Sequence, residues 1–219
     1  MKNLKNALLL KQLYRLKQLG YQYTSVVPFQ EEEEDLRLPD TMDKLKKQAE
    51  ACHLCQLSKS RTHVVFGEGD PHADIMFVGE GPGATEDSMG KPFVGKSGGL
   101  LTKMIENVLL ISRADVYICN IVKCRPPENR TPTETEAHTC TPYLLKQIEL
   151  IKPKIIVALG ATAYHYLSGD QSPISRVRGN VFEKEKYILV PTYHPSYLLR
   201  NPSAKKEVFE DLKKIKTLL

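Results

Sequence analysis

The 219-residue sequence predicts an α/β fold in which helices cover both faces of a parallel β-sheet. From residue 41 onward, short apolar runs rich in β-branched residues alternate with longer amphipathic segments, the pattern of strands joined by crossover helices. The strand runs are apolar throughout, as is typical of parallel strands buried on both faces. A composition of 41% hydrophobic and 26% charged residues suits one well-packed soluble domain.

Four strands and four helices are expected within this domain. The expected strands are residues 74–79, 116–122, 154–160 and 187–192. The expected helices are residues 98–110, 133–151, 161–167 and 204–218. Ser203, directly after Pro202, is the expected N-cap of the last helix, because a serine oxygen accepts a hydrogen bond from the unpaired amides at a helix start.

The first forty residues differ from the rest of the chain. Residues 1–20 have leucines at helical spacing, and all of their charged residues are basic. The acidic run at residues 31–35 favours an extended, solvated linker over about residues 24–40. We therefore divide the chain into an appendage, residues 1–40, and a domain, residues 41–219. The basic helix either contacts DNA or a partner, folds back onto the acidic linker, or solubilises the chain.

Charge and the N-terminus restrict where the protein works. The formal net charge of +5 and the pI near 8.8 permit a polyanionic partner without demanding one. The apolar run at residues 7–10 stops at Lys11, which is too short for the core of a signal peptide. No apolar stretch approaches the length of a membrane span. We expect a cytoplasmic protein without membrane contact, whose thiols stay reduced.

Four of the five cysteines form a candidate metal site. Cys52 and Cys55 make a C-x2-C pair, and Cys124 and Cys140 make a looser pair. Four thiolates can bind one zinc ion or the corners of an iron–sulfur cluster. The second pair brackets a proline-rich segment, and an irregular loop pinned at both ends favours the larger cluster over a single ion. Cys119 lies in a predicted strand and is interpreted as a buried apolar residue.

Two motifs at predicted strand ends indicate one ligand pocket. Residues 79–87, GEGPGATED, follow the first strand, and residues 194–200, HPSYLLR, follow the last. Ligands bind at the carboxyl ends of strands in open α/β sheets. A glycine-lined turn lets backbone amides approach a small planar ligand, and a histidine in the facing loop can donate a hydrogen bond to it.

These motifs together resemble the family 4 uracil-DNA glycosylases, the iron–sulfur uracil glycosylases of bacteria and archaea. The resemblance covers about residues 43–218. The segments that carry it are the C-x2-C pair, residues 79–87, 91–99 and 117–132, Cys140 and residues 194–200. It implies a three-layer α/β/α sandwich around a four-stranded parallel sheet. It also implies an activity, the hydrolytic release of uracil from single- or double-stranded DNA in base excision repair. It also implies one 4Fe–4S cluster on the four cysteines, and we expect a monomer.

The resemblance also assigns the uracil site. It implies that the pocket is formed by Gly79, Glu80, Gly81, Phe93, Asn120 and His194. Phe93 would stack on the base, unless it is simply a core aromatic residue. The Asn120 amide would match the O4 and N3–H edge of uracil, unless it caps a turn. His194 would donate to O2 as negative charge develops on the departing base.

The acidic residues near the first motif are the candidates for activating water. Where the best-known uracil glycosylases have an aspartate and a tyrosine, this chain has Gly81 and Gly83. The remaining carboxylates include Glu80, ranked first because it adjoins the pocket, and Glu86, ranked second. Either could instead be a helix-terminal charge favoured by the helix dipole.

The last motif is the expected DNA-binding segment. Ser196 would hold a phosphate flanking the flipped nucleotide, and a wedge would fill the space that the base vacates, formed by Tyr197, Leu198, Leu199 and Arg200. A relative that becomes covalently attached to DNA carries an extra histidine after the first motif, and residues 86–99 contain none. The alternative from another class is a non-catalytic nucleic-acid-binding module with a structural four-cysteine metal site.

Overall fold

The computed structural model describes residues 17–18 and 38–219. The chain divides into two compact units, Met1–Arg37 and Leu38–Leu219, and the second is the folded domain considered below. Apart from the helical pair Lys17 and Gln18, the expected N-terminal helix lies outside the described residues, as does the expected linker up to residue 37. The proposed division at residue 40 therefore stays a prediction.

A six-stranded mixed sheet forms the centre of the domain. Its strands are β1 (Glu68–Gly69), β2 (Ile75–Gly79), β3 (Tyr117–Asn120), β4 (Ile155–Leu159), β5 (Phe182–Glu183) and β6 (Ile188–Thr192). Their spatial order is β1-β3-β2-β4-β6-β5, with the four central strands parallel and the two edge strands antiparallel. The four predicted strands are confirmed. The edge strands were not predicted, because two residues are too short to show a period.

Helices flank both faces of this sheet. They are α1 (Met42–Glu50), α2 (Ala84–Met89), α3 (Lys96–Met104), α4 (Glu134–Ile151), α5 (Ala161–Ser168), α6 (Ile174–Val177), α7 (Pro195–Arg200) and α8 (Lys205–Lys216). Helix α3 continues into a π-helical turn, Ile105–Leu109. The predicted N-cap Ser203 is wrong, because residues Pro202–Ala204 form a 3-10 turn and Ala204 occupies the cap position without a side-chain hydrogen bond.

Two apolar layers make the sandwich. On one face of the sheet, Met76 and Ile156 pack in a cluster with Leu144 of α4 and Tyr164 of α5. On the other face, alternate strand residues such as Phe77 and Val157 pack with Leu101 of α3 and Leu212 of α8. Because successive side chains of a strand point to opposite faces, fully apolar strands need a helical layer on each side. The three-layer α/β/α arrangement is thus confirmed. In the described part of the chain, no helix is both long and apolar enough to span a membrane.

The sheet register brings four strand ends to one edge. Gly79 of β2 lies beside Asn120 of β3, and Leu159 of β4 lies beside Thr192 of β6. Strands β2 and β4 are themselves neighbours. The segments that follow these strands therefore meet at one place, where open α/β sheets bind their ligands.

Candidate active site

A cleft of about 570 Å³ opens at this edge of the sheet. Its walls include segments following β2, β3, β4 and β6, so both sequence motifs contribute to it. The predicted site residues that line it are Glu80, Gly81, Glu86, Phe93, Asn120, His194, Ser196 and Arg200. Gly79 lies beneath the cleft floor, against Asn120 and Phe93.

Asn120 supplies a buried acceptor at the base of the cleft. The residue is 1% exposed, and among the described residues its Oδ1 has no hydrogen-bond partner. A buried carbonyl oxygen without a partner costs about 1–3 kcal/mol, which a ligand N–H can recover. A Cβ on Gly79 would fall 2.5 Å from Oδ1, so the glycine leaves the room in which the amide sits. The position is suited to a ligand that donates one hydrogen bond.

Phe93 is held in a backbone conformation that few residues adopt. Its φ angle is 52°, in the left-handed region. Arg113 donates to the carbonyl of Pro92 (2.9 Å), and Glu86 Oε1 accepts from the amides of Val94 (3.1 Å) and Gly95 (2.9 Å). These bonds clamp the loop on both sides of Phe93. The ring centroid then lies 5.6 Å from that of His194, with both rings lining the cleft.

His194 is fixed as a neutral donor. Its Nδ1 accepts from the backbone N–H of Ser196 at 3.1 Å, and the Ser196 hydroxyl lies 2.8 Å from the same nitrogen. Burial lowers the pKa of His194 to about 4, with Arg200 acting in the same direction and Glu86 in the opposite one. In the neutral ring, an accepting Nδ1 leaves the proton on Nε2. The imidazole therefore has one N–H donor left for a ligand.

The two candidate carboxylates have different surroundings. Glu80 lines the cleft, and its Oε2 accepts from the Thr162 hydroxyl at 2.5 Å. Glu86 is 9% exposed and uses Oε1 to bind the loop amides described above. This engagement gives Glu86 a role in holding Phe93. Glu80 is the candidate with a carboxylate free of loop contacts, and its role with water stays a prediction.

The expected DNA-binding helix α7 is only partly exposed. Leu198 is 1% exposed and packs in the core beneath the cleft, so its prediction as a DNA contact is wrong in this conformation. Helical spacing explains this, because in a six-residue helix on the domain surface one face must pack inward. Leu199 is 44% exposed and Tyr197 37% exposed, and Arg200 is also exposed. These three remain candidates for contact with DNA.

The segment between Cys124 and Cys140 forms another wall of the cleft. Pro126, Asn129 and Arg130 line it. Arg130 makes two 2.8 Å hydrogen bonds to Glu136, and this pairing lowers the pKa of the Glu136 carboxyl to about 2. Glu136 also completes a capping box with Thr133 at the start of α4. The ion pair with Glu136 thus connects this wall of the cleft to the first turn of α4, and it already engages the Arg130 guanidinium.

The four predicted cysteine ligands lie around one small cavity. The four-cysteine site consists of Cys52, Cys55, Cys124 and Cys140, none of which forms a disulfide. Arg61 donates to Cys124 Sγ at 3.1 Å, and the Lys123 amide donates to Cys140 Sγ at 3.3 Å. N–H donors to sulfur are the surroundings that thiolates bound to iron–sulfur clusters have. The donor set therefore fits such a group. Within the described ranges, no three His, Cys, Asp or Glu side chains are placed for a single metal ion.

Several residues of the site carry no motif that sequence reasoning could detect. Thr162 donates a hydrogen bond to Glu80, and Arg113 donates one to the loop that carries Phe93; both donors come from distant parts of the chain. Lys123 and Gln147 form a buried pair behind Asn120, with 2.6 Å between Nζ and Oε1. A buried polar pair on two separate elements leaves no local signal. Cys119 is fully buried in β3, in agreement with its interpretation as a core residue.

Comparisons with known proteins show which family the chain resembles. The sequence model of the Uracil DNA glycosylase superfamily matches residues 66–213. The type-4 uracil-DNA glycosylase of Sulfurisphaera tokodaii is 49% identical over 187 residues, which are 82% of this chain and 85% of that protein. The type-4 uracil-DNA glycosylase of Thermotoga maritima is 48% identical over 186 residues, covering 82% and 95% of the two chains. A type-5 uracil-DNA glycosylase of Pyrobaculum aerophilum is 30% identical over 146 residues, 59% of this chain and 64% of that protein.

Proposed function

This chain belongs to the type-4 uracil-DNA glycosylase family, and we propose that it acts in DNA repair by releasing uracil from DNA. The reaction is hydrolysis of the bond between C1′ of the deoxyribose and N1 of uracil. The bond electrons leave with the base as a uracil anion, water adds its oxygen to C1′ and gives up one proton, and a proton taken up by the anion yields neutral uracil beside an abasic site. The products are free uracil and DNA with one base missing.

The single observation that carries this proposal is the buried Oδ1 of Asn120, which has no hydrogen-bond partner among the described residues and lies in the cleft that Phe93 and His194 also line. Uracil offers an N3–H donor to this oxygen and an O4 acceptor to the amide nitrogen. Cytosine has the opposite pattern, an unprotonated N3 and an amino group. A buried polar group left unpaired excludes the wrong ligand strongly, so the cleft favours uracil over cytosine.

His194 would stabilise the leaving group. A neutral imidazole with its proton on Nε2 donates a hydrogen bond to O2 of uracil as negative charge develops there. Phe93 would stack on the base and retain it after it leaves the duplex. Neither residue needs to transfer a proton for the bond to break.

Glu80 would position the attacking water and oppose the positive charge that develops on the sugar. Its Oε2 is held by Thr162, which fixes the carboxylate without neutralising it. Gly81, where better-known relatives have an aspartate, leaves Glu80 as the adjacent acidic group in the same turn. A positioned carboxylate base typically contributes about 100- to 10,000-fold to a rate.

The substrate would be uracil in single- or double-stranded DNA. Uracil must leave the base stack to enter the cleft, at a cost of a few kcal/mol. Tyr197 and Arg200, which line the cleft, and the exposed Leu199 between them in α7 would occupy the vacated space and contact the backbone. We further propose that the enzyme acts as a monomer in the cytoplasm. The groups proposed for the reaction all line one cleft of a single chain.

The four-cysteine site would hold one 4Fe–4S cluster, with Cys52, Cys55, Cys124 and Cys140 as ligands. When bound, the cluster would supply iron–thiolate bonds that join the C-x2-C turn to both ends of the segment walling the cleft. The role of this chain's residues there is to fix that wall for DNA. No step of hydrolysis passes through the cluster.

The test is release of free uracil from an oligonucleotide with one uracil, measured by chromatography, together with metal analysis of the same protein. Free uracil in equal amount to abasic sites supports the proposal. Zinc in place of iron and sulfide, with binding of DNA and no released base, would favour the alternative of a non-catalytic nucleic-acid-binding module.

A further inference from the structure

Lys123 is a buried lysine directly behind the uracil pocket. It is 2% exposed, although its side chain ends in an ammonium group. Nζ donates to the backbone carbonyl of Asn120 at 2.9 Å and to Oε1 of Gln147 at 2.6 Å. Burial of a lysine is rare and costly unless the charge is paired. The position therefore requires an explanation.

The hydrogen-bond partners of Lys123 are neutral, and its negative neighbours would be thiolates. In the part of the chain that the structure describes, no carboxylate lies within ion-pair distance of its Nζ. The Lys123 amide donates to Cys140 Sγ, and the next residue in sequence is Cys124. Lys123 also lines the small cavity around which the four cysteines lie. An iron–sulfur cluster bound by four thiolates carries net negative charge, which would balance the buried ammonium.

On its other side, Lys123 fixes the end of β3. Its bond to the Asn120 carbonyl holds the residue whose Oδ1 faces the cleft. Gln147 of α4 anchors the pair, because its Nε2 donates to the carbonyl of Phe66 and the hydroxyl of Tyr117, both at 3.0 Å. The network connects β3, α4 and the segment before β1 behind the pocket.

We propose that Lys123 is a positioning residue that fixes Asn120 for uracil and links it to the four-cysteine site. This inference rests on the proposed function. The ammonium is stabilised where a negative cluster lies on one side, and its hydrogen bond then holds the Asn120 backbone on the other. Loss of the cluster should loosen Asn120, and loss of the lysine should weaken both the cluster site and the recognition of uracil.

The test compares two variants that each remove one cation near the cysteines. Lys123→Met removes the ammonium group and its bonds to the Asn120 carbonyl and to Gln147 Oε1, whereas the backbone amide that donates to Cys140 Sγ remains. Arg61→Met removes the donor to Cys124 Sγ and the bond to the Glu50 carbonyl, and Arg61 has no contact with Asn120. The measurements are iron per chain, the rate of iron loss to a chelator, the single-turnover rate of uracil release from iron-loaded protein, and affinity for abasic-site DNA.

We expect both variants to lose iron faster than the wild-type protein. Lys123→Met should also release uracil about 10- to 100-fold more slowly, the scale of misplacing a binding group by about 1 Å. Its affinity for abasic-site DNA should stay within about 2-fold of wild type, since that DNA has no base for Asn120 to bind. Arg61→Met, in its iron-loaded fraction, should release uracil at close to the wild-type rate.

Gln147→Met provides a second test if Lys123→Met does not fold. It keeps the lysine but removes its anchoring acceptor, and it should slow uracil release more than it weakens binding of abasic-site DNA. Unchanged uracil release in Lys123→Met or in Gln147→Met would overturn the inference. Equal loss of uracil release in Arg61→Met would do the same, since a general effect of the cluster would then suffice. Absence of uracil release by the wild-type protein would instead refute the proposed function.

Discussion

Gly79 and Asn120 lie side by side at the ends of β2 and β3, so close that a methyl group on the glycine would fall 2.5 Å from the Asn120 Oδ1. The same methyl group would fall 2.6 Å from Cζ of Phe93. The glycine thus leaves the space occupied by Asn120 and Phe93, the two groups that we propose bind uracil. The glycine is required for the space it leaves, since its φ is not in the left-handed region.

Substitution of Gly79 should therefore damage the pocket without unfolding the domain. We expect Gly79→Ala to lower the single-turnover rate of uracil release by at least about 100-fold, because both Asn120 and Phe93 must move. Gly99→Ala is the matched control, since a Cβ there meets no atom of the described residues within 4 Å. It should keep full activity and gain up to about 1 kcal/mol of stability, because Gly99 lies inside α3. Equal activity of the two variants would contradict the assignment of the pocket.

The pH dependence should reveal a neutral His194. With its pKa lowered to about 4, the imidazole keeps its Nε2–H donor and its accepting Nδ1 across the neutral range. We expect the ratio of wild-type to His194→Asn rates to show no step near pH 6.5 and to fall only as the pH approaches about 4. The ratio removes the effect of other titrating groups. A ratio that falls as the pH rises through 6.5 would mean that a charged imidazole is needed.

The free energy of unfolding should depend on pH between about 6.5 and 4. In the unfolded chain His194 binds a proton below about pH 6.5, whereas in the folded protein it does so only below about pH 4. Its contribution to the free energy of unfolding is therefore full above pH 6.5 and is lost as the pH falls toward 4. Urea titrations of wild type and His194→Asn at several pH values would measure this difference.

Substitutions of Glu80 and Glu86 should have different effects, the first on the rate of uracil release and the second on the stability of the Phe93 loop. Glu80→Gln should lower the rate by about 100-fold or more with an unchanged melting temperature, because the carboxylate would act on water. Glu86→Ala should lower the melting temperature, because it leaves the amides of Val94 and Gly95 without an acceptor, at about 1–3 kcal/mol. A wild-type rate in Glu80→Gln would remove this residue from the mechanism.

Leu198 and Leu199 are adjacent in sequence but should behave differently. Leu199→Ala should reduce uracil release from duplex DNA more than from single strands, with no change in melting temperature, because an exposed wedge is needed only where a base stack is opened. Leu198→Ala should cost about 2–5 kcal/mol of stability, as expected for a leucine in the core. Thermal unfolding and paired substrates distinguish them, and a reversed pattern would refute the orientation of α7.

The sequence predicts the parallel strands and the strand-end glycines well, because buried strands and tight turns leave local patterns. It also predicts that the segments after the first and last strands form one pocket, and the family resemblance adds Asn120 to it; Asn120 and His194 both line the cleft. It misses the orientation of Leu198, because a six-residue helix is too short to define an apolar face. It misses the Lys123–Gln147 pair and the clamp of Arg113 on the Phe93 loop, because these depend on distances between separate elements.

The most direct measurement of the central claim uses three oligonucleotides that differ only in carrying uracil, thymine or cytosine at one position. Each is incubated with the purified protein and then cleaved with alkali at abasic sites. The account predicts strand breakage at uracil and none at thymine or cytosine. No breakage at uracil by an iron-loaded protein would contradict it, as would equal breakage at cytosine, since the Asn120 acceptor would then not select the base.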